Sequence, residues 1–165
     1  PNDALTRAQV ATILYRACPT GSLTDTDNSS DANSVNKTPF PDVESGAFYT
    51  KAMNWAYANG ILTGVDGKGE MQPNREITRE ELAVVMMRYA KSCGIAGADA
   101  DPSEEGITDW ADVSSFAMSS IKWALANGVI SGVDNLDGTR SLCPHDSASR
   151  AQMAKIILNV EAMRG

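Results

Sequence analysis

Apolar residues recur at i, i+3, i+4 and i+7 in three stretches of the chain: Val10, Ile13, Leu14 and Ala17; Leu82, Val85, Met86 and Tyr89; Met153, Ile156, Ile157 and Val160. That period places each set on one face of an amphipathic helix. The three stretches open alike. Thr6, Thr78 and Ser149 are good N-caps, and Gln9, Glu81 and Gln152 follow three residues on, which completes a capping box. The pairs Leu5/Val10, Ile77/Leu82 and Ala148/Met153 stand where a hydrophobic staple packs across the first turn. Two further helices are predicted over Phe48–Ala58 and Phe116–Ala126, each stopped by Asn-Gly at 59–60 and 127–128. Asn-Gly there suits a left-handed C-terminal cap. Strand patterning is nearly absent, so an all-α fold is expected.

These elements recur in order. Asn54–Gly67 and Lys122–Asn135 share eight of fourteen residues. Upstream, Phe40-Pro41-Asp42-Val43 matches Trp110-Ala111-Asp112-Val113. Downstream, the Pro73–Ala83 segment matches Pro144–Ala154 and, a third time, Pro1–Ala11. The chain thus reads as the back half of one repeat (1–17) and two full repeats (40–91 and 107–162), joined by polar loops at 18–39 and 92–106. Residue 1 falls inside a motif, so the first repeat reads as truncated. An amphipathic helix pair cannot bury its stripe alone, so such repeats must pack on one another. The open side of the first helix is expected to lie against a neighbouring copy or to remain an apolar patch.

A length of 165 residues suits one domain. The net charge of −7 disfavours nucleic acid and anionic lipid surfaces as partners. No apolar run approaches the roughly 20 residues that span a bilayer. The three cysteines, Cys18, Cys93 and Cys143, fit no zinc or CxxC spacing and read as small packed side chains, with a Cys18–Cys93 disulfide as the alternative. The acidic stretch Asp25–Asp31 lacks the Gly and terminal Glu of a calcium loop, and His145 is the single histidine, so no metal or cofactor is expected. No phosphate loop, dinucleotide fingerprint or nucleophile elbow occurs.

The ordered motifs F-P-D-V, W-A-x-A-N-G-x-x-x-G and P-x-x-x-I-T-R-E-E-L-A, present twice and a half, resemble the S-layer homology family. The resemblance implies a pseudo-threefold bundle of repeated helix-loop-helix units, its first repeat incomplete here. It also implies a non-catalytic module that binds a peptidoglycan-linked wall polysaccharide, often one bearing a pyruvate ketal, in grooves between repeats. Such a module tethers a larger surface protein to the bacterial cell wall. Two departures stand out: the first repeat lacks its front half, and the third has Ser149-Arg150-Ala151-Gln152 for the usual Thr-Arg-Ala-Glu.

Arg7, Arg79 and Arg150 follow the cap directly, where a positive charge opposes the helix dipole. Free N–H groups and a guanidinium fork at that point would suit a carboxylate or phosphate. The alternative is a salt bridge to Asp42 or Asp112. Those aspartates read equally as turn residues or as groups that orient the arginine. Trp55 and Trp123 read as mostly buried, with one edge in the groove. Gly60 and Gly128 are expected to serve the backbone. The fullest groove would combine Arg79 with Asp112, Trp123 and Gly128; a second would combine Arg7 with Asp42, Trp55 and Gly60; Arg150 would have the weakest. A protein–protein assembly module is the competing function. A glycosidase is disfavoured because no motif places a carboxylate pair.

Overall fold

The computed structural model of the protein describes every residue except 1, 19–38, 66–68, 96, 98–100, 103, 105 and 165. Asp25–Asp31 and much of the two loops therefore lie outside the described residues. The described chain is mostly helical, as expected. Its α-helices are α1 (Arg7–Ala17), α2 (Thr50–Ala58), α3 (Arg79–Ser92), α4 (Met118–Ala126) and α5 (Arg150–Ala162). The two-residue strands β1 (Val133–Asp134) and β2 (Arg140–Ser141) pair antiparallel, with Val133 opposite Ser141.

The chain divides into two compact units: a front unit, Leu5–Glu76, and a back unit, Pro1–Ala4 with Ile77–Gly165. In the front unit α1 packs against α2, and in the back unit α3 packs against α4 and α5. The second helix of each repeat therefore pairs with the first helix of the next. The stripe of α1 is covered in part within this unit: Val10 and Leu14 are fully buried, as are Met53 and Ile61, whereas Ile13 and Ala17 are half-exposed.

All three capping boxes form, at Thr6/Gln9, Thr78/Glu81 and Ser149/Gln152. The staple residues beside them are buried in every case. The stripe of α3 is wholly buried, whereas on α5 Met153 and Val160 are buried and Ile156 and Ile157 are half-exposed. Helices α2 and α4 begin two residues later than the apolar pattern suggests. Phe48 and Phe116 instead sit in the preceding turns, 73% and 59% exposed. Neither helix has a side-chain N-cap to fix an earlier start.

The ends of α2 and α4 follow the sequence closely. Gly60 and Gly128 both have φ of +66°. Ile61 N–H then reaches back to Ala56 O and Val129 N–H to Ala124 O, both at 2.8 Å. This is the Schellman closure, and only a residue tolerant of positive φ completes it at low cost. Asn59 and Asn127 add side-chain bonds to Trp55 O and Trp123 O. The three cysteines are free thiols.

Candidate ligand-binding cleft

The first turns of α1 and α3 have their N–H groups taken, as are the first and third N–H groups of α5. In the front unit Arg7 N donates to Arg75 O (3.0 Å) and Ala8 N to Pro73 O (2.9 Å). In the back unit Arg79 N donates to Asp146 O (2.9 Å), Glu80 N to Pro144 O (3.0 Å) and Arg150 N to Asp3 O (3.1 Å). The third N–H of each helix goes to its own cap hydroxyl. A helix end satisfied in this way is no longer an anion cradle. Any anion recognition at these positions falls to the arginine side chains.

Those side chains differ. Arg7 is only 5% exposed; its Nε donates to Met71 O and its Nη2 to Thr63 O, both at 2.8 Å. Arg79 is half-buried, and its Nε donates to Leu142 O at 2.7 Å. Its two terminal nitrogens have no hydrogen-bond or ion-pair partner among the described residues. Arg150 is exposed, and its guanidinium likewise has none among them.

The carbonyls that hold Arg7 and Arg79 are themselves held by a carboxylate. Asp42 accepts Met71 N at 3.0 Å and Gln72 N at 2.7 Å. In the back unit the same clamp is made by Asp109, which accepts Leu142 N and Cys143 N, both at 2.7 Å. The Gln72 N–H and the Met71 carbonyl belong to one peptide unit, so Asp42 and Arg7 grip opposite ends of a single peptide plane. Asp109 and Arg79 do the same across the peptide between Leu142 and Cys143. Gln72 and Cys143 adopt positive φ, 50° and 49°, unusual for residues with a Cβ and held there by the clamp. For Asp42, read from the sequence as a turn residue or as a group that orients the arginine, the link to Arg7 runs through this peptide rather than through a salt bridge.

This geometry corrects the register of the third repeat. Asp112 is exposed, on a 3-10 turn spanning Trp110–Asp112, and takes no part in the clamp. Asp109 is the counterpart of Asp42, which makes Ile107 the counterpart of Phe40.

A cleft of about 120 Å³ opens beside Arg79 within the back unit. Its apolar lining includes Leu82, Ile121, Val129, Leu142 and Ile156, and its polar side chains are Arg79, Ser131, Gln152 and Lys155. Trp123 and Gly128 do not line it. Trp123 is buried, and Gly97 approaches its indole Nε1 so closely that a Cβ would collide. Trp55 is buried too, edge-on to Tyr15 at 5.5 Å between ring centroids. Both tryptophans belong to the core. Sequence reasoning passed over Gln152 as a ligand residue, although its departure from Glu was visible, and passed over Lys155 altogether.

Glu80 is a buried acid with an assigned task. It accepts Ser114 N (2.9 Å) and Ser114 Oγ (2.8 Å), tying the turn before α4 to α3, and His145 Nδ1 lies 3.4 Å away. The other two repeats carry Ala8 and Ala151 at this position.

Helical repeats closed by one cap-and-clamp motif define a helical-repeat module. The chain belongs to the S-layer homology family: the model of the S-layer homology domain matches residues 39–83 and 106–154. The two matches begin three residues before Asp42 and three before Asp109, the pairing the clamp reveals. S-layer homology domains are non-catalytic surface-anchoring modules, and this chain is one. It is 31% identical over 98% of its length to the surface-layer 125 kDa protein of Lysinibacillus sphaericus, and covers 12% of that protein. It is 31% identical over 95% of its length to an amylopullulanase of Thermoanaerobacterium thermosulfurigenes, and covers 8% of it. It is 34% identical over 72% of its length to exoglucanase XynX of Acetivibrio thermocellus, and covers 10% of it. The chain thus spans about a tenth of the length of these relatives. No helix among the described residues is long and apolar enough to cross a membrane.

Proposed function

We propose that the Arg79 cleft binds an acidic substituent of a cell-wall polysaccharide, a ketal-linked pyruvate being the leading candidate, and so tethers a larger protein to a bacterial cell surface. The observation that carries this reading is the state of Arg79. Its Nε is fixed to Leu142 O, while its terminal nitrogens are unengaged among the described residues beside an apolar lining. A guanidinium held by one edge presents the other as a planar, two-donor face, the geometry that suits a carboxylate. The apolar lining suits the hydrophobic face of a sugar ring or a ketal methyl group. Relatives named as a surface-layer protein and as polysaccharide-degrading enzymes support a shared anchoring part rather than a shared chemistry.

The test is calorimetric titration with purified wall glycan, with and without its acidic substituent. Arg79→Ala should lower affinity about ten- to hundredfold, the loss of one charge-assisted contact. Arg79→Lys should recover only part, because it keeps the charge and loses the fork. Removal of the substituent should weaken the unaltered chain as much as Arg79→Ala does. Unchanged affinity in Arg79→Ala would show that the cleft is not the glycan site.

A further inference from the structure

All four polar side chains of the Arg79 cleft carry hydrogen-bond donors, and none is an acid, in a chain of net charge −7. Two come from α5, and together they set it apart from α3; α1 shares the glutamine, as Gln9, but has Thr12 in place of Lys155. At the third helical position, α5 has Gln152 where α3 has Glu81; three residues on, α5 has Lys155 where α1 has Thr12 and α3 has Val84. Relative to the α3 register these two changes raise the local net charge by two, one by removing an acid and one by adding a base.

The local structure keeps both groups available. Gln152 Oε1 accepts Ser149 N at 2.8 Å, which completes the capping box and leaves the amide NH2 without a partner among the described residues. Glu81 makes the same cap bond to Thr78 N at 3.0 Å, but with a carboxylate that has nothing to donate. Lys155 is exposed and has no ion-pair partner among the described residues, whereas Val84 at the same register is buried.

Resting on the reading of the cleft as a glycan site, we propose that Gln152 and Lys155 make it selective for two negative charges held close together. The ligand is a glycan segment with two carboxylates within the span of one disaccharide, one taken by the Arg79 fork and the other by Lys155 and the Gln152 amide. A second carboxylate entering a cleft that held Glu at position 152 would meet a like charge, and a cleft with Val at 155 would offer it no counter-ion.

The experiment uses three disaccharides of one backbone, bearing no, one or two carboxylates, titrated at low and moderate salt against the full chain. The double variant Gln152→Glu/Lys155→Val installs the α3 register. It keeps the capping box, since Glu81 closes the same box, and Lys155 is exposed, so folding should be retained and is checked by thermal melting. The unaltered chain should prefer the two-carboxylate sugar over the one-carboxylate sugar by about tenfold, with the neutral sugar weakest. The double variant should lose about thirtyfold for the two-carboxylate sugar and no more than about fivefold for the one-carboxylate sugar. An unaltered chain that binds both acidic sugars equally, or a preference that survives the double substitution, would overturn the two-charge proposal and leave the cleft reading standing. Equal, weak binding of all three sugars would overturn both.

Discussion

Arg7 and Arg79 stand at the same place in the same motif, and the two units put them to different uses. Each donates through Nε to a carbonyl whose peptide is clamped by an aspartate, Asp42 in the front unit and Asp109 in the back. They diverge at the next bond. Arg7 closes its fork on Thr63 O and is buried. The matching carbonyl in the back unit, Ser131 O, accepts Arg140 Nη1 instead, at 3.2 Å. Arg140 belongs to a hairpin longer by three residues than its front-unit counterpart: Gly132 to Leu142 against Gly64 to Met71. In the back unit the matching carbonyl thus carries a cation from the longer hairpin, and the Arg79 fork has no second partner among the described residues. The same motif arginine is held by two carbonyls in one unit and by one in the other.

The sharpest way to break this comparison is to remove each arginine in turn. Arg7→Ala leaves two carbonyls without their charged donor and should cost roughly 3–5 kcal/mol, a large part of an ordinary domain's stability. Arg79→Ala loses one half-buried bond and should cost about 1–2 kcal/mol. Urea titrations of both variants measure the difference; equal costs would show that the two arginines do the same work. Next in size are the clamps. Asp42→Asn and Asp109→Asn each replace a carboxylate, whose two oxygens take one backbone N–H apiece, with an amide that has one accepting oxygen and turns an NH2 donor toward the other N–H, and should cost about 2–3 kcal/mol. Asp109→Asn should also weaken glycan binding, because the Leu142 carbonyl that aims Arg79 shares the clamped peptide. Asp112→Asn, at an exposed turn, should change stability by less than about 0.5 kcal/mol; a larger loss there than at Asp109 would restore the register suggested by the sequence. Smallest is Arg140→Ala. It frees Ser131 O for the Arg79 fork and should lower glycan affinity about three- to fivefold with no shift in melting temperature. Undiminished affinity would show that Arg140 does not keep the fork open.

Much of the scaffold was legible because it is local. The caps at Thr6, Thr78 and Ser149, their staples, and the glycine closures at Gly60 and Gly128 depend on residues no more than five or so apart. The candidate site was legible only in part. Arg79 was found because a cation at that end of a helix lacks a local reason. The aspartate was misregistered because Thr108-Asp109-Trp110-Ala111-Asp112-Val113 holds two candidates, and the Asp-Val pair matched the better by letters. The choice between them rests on backbone partners more than 30 residues away, Leu142 and Cys143. Trp123 reads from the sequence as mostly buried with one edge in the groove; it is buried, and the close approach of Gly97 to its indole Nε1 is a contact no local pattern announces.

The sequence by itself determined the repeat, the helices and their ends, since each capping box, apolar stripe and Asn-Gly stop acts within a turn or two of the residues that encode it. Tertiary structure decided which donors were left over. Whether a guanidinium is buried, half-held or open depends on which distant carbonyl reaches it first. In this chain Thr63 O accepts from Arg7, while the matching Ser131 O accepts from Arg140 and not from Arg79. That competition is a property of the folded loops, not of any short stretch of residues.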